Sequence, residues 1–116
     1  MIAVIFEVEP AEGQTEGYLA EAASLRPLLA EMPGFISIER FQSLTNPNKL
    51  LSLSFWESEE AVRNWRNQEP HRAAQAAGRG GLFAGYRLRV AAVLRDYTQD
   101  ARREQAPADS QTRHGQ

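Results

Sequence analysis

Hydrophobic residues in this chain recur with two periods, and the order in which those periods follow one another restricts the fold sharply. "IAVIFEV" (2–8) is β-branched and aromatic, with Ile2, Val4, Phe6 and Val8 on one face, and predicts a strand closed by Pro10 and Gly13. Residues 14–32 switch to helical spacing, with Tyr18, Ala22, Leu25, Leu29 and Met32 on one stripe. Pro27 lies inside that stretch and predicts a kink or break near Ser24 to Arg26, because proline cannot donate to the preceding turn. "MPGF" (32–35) ends the helix, with Gly34 suited to a left-handed turn. "FISIERFQS" (35–43) and "LLSLSFW" (50–56) return to period two, and "LTNPNK" (44–49) between them has the composition of a hairpin turn.

Ser58 has the chemistry of an N-cap, and Glu59 and Glu60 suit the positive end of a helix running to about Gln68. Pro70 predicts a second, short helix reaching to about Gly78, and "GRGG" (78–81) a flexible loop. "YRLRVAAVLRDY" (86–97) predicts a long last strand. The order strand, helix, strand, strand, helix, strand is that of the split βαβ, ferredoxin-like α+β fold: an antiparallel four-stranded sheet with helices on one face. The other face carries apolar candidates such as Ile5, Ala91 and Val93, and a second copy of the chain is the simplest cover, so a homodimer is expected. From Thr98 onward no large apolar residue occurs. The expected organisation is one domain over residues 1–97 and a disordered polar tail over 98–116.

Composition removes several functions. A net charge of −2 gives no reason to expect nucleic acid or an anionic membrane as partner. There is no cysteine, which excludes disulfides, thiolate metal sites and thiol nucleophiles and fits a cytoplasmic location. The apolar N-terminus is interrupted by Glu7 and Glu9 and lacks a basic leader, so it reads as a strand and not a signal peptide. No phosphate-binding glycine loop occurs, and scattered carboxylates make a metal site unexpected.

With these elements laid out, "PGF" before strand two, "SFWESEEAVRNWR", "HRAAQAAGR" and "YRLRVAAVLRDY" together make residues 1–97 resemble the antibiotic biosynthesis monooxygenase (ABM) family of dimeric α+β barrels. The resemblance implies one of two chemistries. One group of the family oxidises aromatic polyketides with dioxygen and without metal or flavin, using an Asn four residues before a helical Trp, a Tyr six residues after it, and an Arg on the last strand. The Trp matches Trp65, but the other two helix-side positions hold Ala61 and His71; Arg87 or Arg89 is the nearest match on the strand. A second group degrades haem and needs an Asn on the first strand and a His ten residues after the Trp. The first strand here has no Asn, and position 75 is Gln75.

Four residues are therefore candidates for a site, each with a plainer reading. Trp65 is either core or the wall of a pocket, and both can hold together. His71, in the first turn after Pro70, is kept neutral by the helix dipole and is either a base or a solvent-facing residue. Arg87 and Arg89, with Arg95, alternate along one strand face. They are salt bridges at a dimer edge or a rim, or else Arg87 stabilises an oxyanion and Arg89 binds substrate. Arg79 in the glycine loop is a loop charge or a gate, and Glu7 and Glu39 have no identifiable partner. The expected activity is cofactor-independent monooxygenation of a small aromatic substrate by dioxygen. The alternative is a non-catalytic dimeric module that binds a small hydrophobic ligand. No cofactor and no metal are expected.

Overall fold

The computed structural model describes residues 1–68 and 81–109. The elements are β1 (Ile2–Pro10), α1 (Thr15–Ala30), β2 (Phe35–Gln42), β3 (Leu50–Trp56), α2 (Glu59–Arg66) and β4 (Phe83–Ala92). The short helix expected from Pro70, and with it His71 and Arg79, lies outside the described residues.

All strand pairs are antiparallel, in the order β2-β3-β1-β4. β1 is central, with Val4 opposite Ser54 on one side and Val90 on the other. Because strand side chains alternate, this register puts Val4, Phe6, Ser52, Ser54, Leu88 and Val90 on one face and Ile5, Glu7, Leu51, Leu53, Arg87 and Arg89 on the other. Both helices pack on the first face, where Leu29, Trp56, Ala61 and Trp65 form a buried cluster with Ile38, Leu25 and Val62 against it. The fold is α+β and ferredoxin-like.

Local chemistry explains the ends of the elements. Ser58 is extended, and its Oγ accepts from the Ala61 N–H at 3.2 Å, so α2 begins where a side chain satisfies an otherwise orphaned donor. Gly34 has φ of +83°, and its carbonyl accepts from Glu57 N–H at 2.8 Å, so one left-handed turn both stops the α1 connection and pins the start of β2 to the end of β3.

Two expectations are corrected. α1 runs unbroken through Pro27. Ala23, Pro27 and Leu28 are exposed, so the carbonyl that proline leaves unpaired lies on the solvent side, while Leu25 and Leu29 hold the helix to the sheet from both sides of it. The last strand begins at Phe83 and ends at Ala92, not at Tyr97; one further bond, Val93 N–H to the Met1 carbonyl at 3.0 Å, closes its ladder. Beyond β1's first residue there is no strand left for β4 to pair with. Local contacts continue past β4. Arg102 bridges Asp96 at 2.7 Å, Gln105 Oε1 accepts from Asp96 N–H at 2.9 Å, and Ala106 is 5% exposed. Residues 110–116 lie outside the described residues.

Candidate active site

Between the helices and the sheet lies a cavity of about 330 Å³, a size that suits a small organic molecule. Every element contributes to it, and each contribution follows from period. β1 supplies Val4 and Phe6, β3 supplies Ser52, Ser54 and Trp56, and β4 supplies Tyr86, Leu88 and Val90, always alternate residues. α1 supplies Tyr18, Ala22, Leu25 and Leu29, spaced by three or four.

One end of the cavity is built on two tryptophans. Trp65 comes from the inner face of α2 and is 8% exposed; Trp56, at 2%, lies beneath it with ring centroids 6.5 Å apart and a 30° tilt. The Trp56 indole N–H donates to Ser54 Oγ at 3.0 Å, which satisfies the one polar atom of a fully buried ring. At the other end Phe6, Phe83, Tyr86 and Tyr18 pack with centroid separations of 5.7 to 6.1 Å. These edge-to-face and tilted contacts make an aromatic wall of fixed shape.

The polar contribution comes from an unexpected strand. Arg40 on β2 stands opposite Ser52 on β3 and lines the cavity, with Arg26, Arg66 and Glu21 also on its boundary. Nε of Arg40 is buried and has no hydrogen-bond partner among the described residues. The sequence carried a usable signal for it: Arg40 is in phase with Ile38, so a charge interrupts an inward face. "FISIERFQS" has no motif, and the shift in register between Phe35 and Ser37 obscures the phase of the strand.

Of the four expected site residues, Trp65 lines the cavity. Arg87 and Arg89 do not. They alternate with Tyr86, Leu88 and Val90, so strand geometry turns them to the face away from the helices. There Arg89 Nη1 meets Glu7 Oε2 at 2.7 Å, and Lys49 Nζ meets Glu7 Oε1 at 2.9 Å. Glu7, left without a partner by the sequence, thus has two, and they hold its carboxyl below the usual carboxylate range, Lys49 most and Arg89 next. The structure does not bring Arg87 or Arg89 together with Trp65, and His71 falls outside the described residues. Among the described residues no three His, Asp or Glu side chains gather as a metal site, and no helix is long and apolar enough to cross a membrane.

The fold that carries this cavity is shared with known proteins. Residues 1–77 match the model of the antibiotic biosynthesis monooxygenase family, and the chain belongs to that family. It is 47% identical over 93 residues to a Pyricularia oryzae protein named jasmonate monooxygenase ABM, covering 80% of this chain but only 43% of that relative's length. It is 34% identical to YqjZ of Bacillus subtilis, over 80% of this chain and 79% of the other. Among solved structures, SnoaB, a cofactor-independent oxygenase from Streptomyces nogalater, superposes with a TM-score of 0.71 at 15% identity, covering 82% of this chain and 94% of that one. Rv0793 from Mycobacterium tuberculosis superposes at 0.75 with 18% identity, over 84% and 98%. At such identities the two structures speak for the fold alone.

Proposed function

We propose that this chain is a cofactor-independent monooxygenase that oxidises a small aromatic substrate with dioxygen in the Trp65 cavity. The observation that carries the reading is the cavity itself: about 330 Å³, walled by aromatic rings and floored by the sheet. An electron-rich aromatic molecule fits such walls by stacking. Its own carbanion reduces dioxygen: one oxygen atom enters the substrate as a carbonyl, the other leaves as water, and the CH₂ group oxidised supplies both hydrogens. That balance needs no external reductant. It asks of the protein a dry pocket, a positioned ring and a base. The name of the Pyricularia relative supports monooxygenation as the chemistry. His71 is the proposed base. The oxyanion role expected of Arg87, and the substrate-binding role expected of Arg89, gain no support from the geometry, because both face away from the cavity.

The same reading makes the protein a homodimer, in keeping with its family. The sheet face opposite the helices presents Ile5, Leu51, Leu53 and Phe55, none of them fully buried in the single chain, with Phe41 43% exposed. An apolar face of that kind is a surface for a partner.

Oxygen uptake by the purified protein against a panel of anthrones and hydroquinones tests the activity. The reading requires uptake with at least one of them and its loss in Trp65→Ala. Tight binding without oxygen consumption across the panel would instead establish the non-catalytic ligand-binding module.

A further inference from the structure

We propose that the ligand of this cavity carries a carboxylate, and that Arg40 is the residue that binds it, in a subsite on the β2–β3 floor shared with Ser52. The proposal rests on the cavity being the substrate pocket and adds the chemical class of what enters it.

Three observations converge. First, Nε of Arg40 is buried without a hydrogen-bond partner among the described residues. Folded proteins leave few buried donors unpaired, and fewer still on a permanently charged group. Glu21, the carboxylate on the cavity boundary, forms no ion pair with it, and Glu7 is engaged on the opposite face by Lys49 and Arg89. Second, Arg26 and Arg40 lie on the cavity boundary with one carboxylate, Glu21, among the described residues, in a chain whose net charge is −2. An apolar, low-dielectric surround strengthens what those charges do to an anion inside. Third, Arg40 rises from a fixed point of the cavity floor. It sits directly opposite Ser52, itself 8% exposed, in a regular stretch of the β2–β3 ladder. Directly opposed residues share a face, so both side chains start from the same side of the sheet.

These features select a carboxylate over other anions. A guanidinium edge presents parallel N–H donors that match the two oxygens of a carboxylate in one plane. A phosphate monoester brings more charge and more acceptor oxygens than one arginine and one hydroxyl satisfy. The remainder of the cavity is aromatic and aliphatic, so the ligand is amphipathic. Its carboxylate lies at Arg40, and its apolar body runs across the sheet toward Phe6 and Tyr86. Anchoring at one end fixes how far the apolar body reaches along the cavity, and so its register against the aromatic wall.

Calorimetric titration of the full chain with 2-naphthoate, methyl 2-naphthoate and 2-naphthylmethylamine tests this. The three share an aromatic body and differ in charge. The expected result is that the carboxylate binds roughly 10- to 100-fold more tightly than the ester, the range for a hydrogen bond to a charged group, and that the amine binds least. Arg40→Gln should bring carboxylate and ester to within about threefold while leaving the ester's affinity unchanged, and Arg40→Lys should retain part of the preference. In wild-type protein with ¹⁵N-labelled arginine, one Nε–H resonance should shift with the carboxylate and not with the ester, which needs no variant to fold. Equal binding of carboxylate and ester by wild type overturns the proposal and leaves the pocket standing. So does a carboxylate preference that survives in a folded Arg40→Gln. Binding of none of the probes removes the pocket, and the subsite with it.

Discussion

At the scale of single residues, Trp65 and Glu7 lie on opposite sides of the sheet and make separable predictions. Trp65 is both core and cavity wall, so truncation should lower stability whatever the protein binds. We expect Trp65→Ala to cost about 3–5 kcal/mol in urea unfolding, and Trp65→Phe to keep most of that stability while narrowing the set of rings the cavity accepts. Glu7 is held below its ordinary value of 4.5 by Lys49 first and Arg89 second. A depressed carboxyl contributes stability above its unfolded pKa and loses it as the pH falls through the folded pKa. The titration midpoint of Glu7, followed by carboxyl NMR, should therefore lie below 4.5 and rise in Lys49→Met and in Arg89→Met. A midpoint unmoved by both changes would contradict the pairing. Trp65 was legible in the sequence because a tryptophan at helical spacing with Val62 must face inward. Glu7's partners were not legible, because diagonal neighbours across two strand pairs depend on a register that no single strand encodes. Arg40 was missed although it is in phase with Ile38, because the irregularity between Phe35 and Ser37 obscures which face of β2 is inward.

At the scale of elements, the order of strands and helices was readable because the two hydrophobic periods are clean, and turn chemistry marks the joints. Gly34 shows how much one joint can hold. Its φ of +83° is unfavourable for any residue with a side chain, and a Cβ placed there would come within 2.6 Å of the Ala61 Cβ. Ala61 is itself buried in the first turn of α2, so it cannot retreat without moving the helix. Gly34→Ala should cost at least about 2 kcal/mol, the left-handed penalty together with the displacement of α2, and should loosen the Trp56–Trp65 contact. Thermal unfolding measures the first effect and tryptophan fluorescence the second. The sequence misjudged Pro27 because a proline's cost depends on where the freed carbonyl points. On the exposed side of α1, water can take that carbonyl, and the helix continues. The sequence also showed that Leu51, Leu53 and Phe55 alternate with Ser52, Ser54 and Trp56, but not which set the helices would cover. Hydrophobicity favours the leucines. The helices instead lie over the serines, which become the polar floor of a cavity, and the leucines of β3 are left outward among Glu7, Arg87 and Arg89.

At the scale of the whole molecule, the β3 leucines on the second face are only half-buried in the single chain, and we expect a second copy to cover them. Glu7 pairs internally with Lys49 and Arg89, so a partner can approach without meeting an uncompensated carboxylate. The residues after β4 are also tied together: Asp96 bonds to Arg102 and Gln105, and Ala106 is buried. Removing residues after Tyr97 should then cost about 1 kcal/mol, the net worth of one or two such bonds, seen as a fall of roughly 4 °C or more in melting temperature for a domain of this size. For the sheet face, light scattering should give the mass of a dimer at micromolar concentration, with a total buried area of about 2,000 Å² or more. Leu53 is the residue to change, because it stands at the middle of β3, on the outward face and away from the cavity. Leu53→Glu should place a charge in the centre of the contact and yield a monomer with the wild-type circular dichroism spectrum. If the variant stays dimeric, the subunits meet elsewhere and the leucine face has another occupant. If wild type is itself a monomer, the outward face is covered by something other than a second copy.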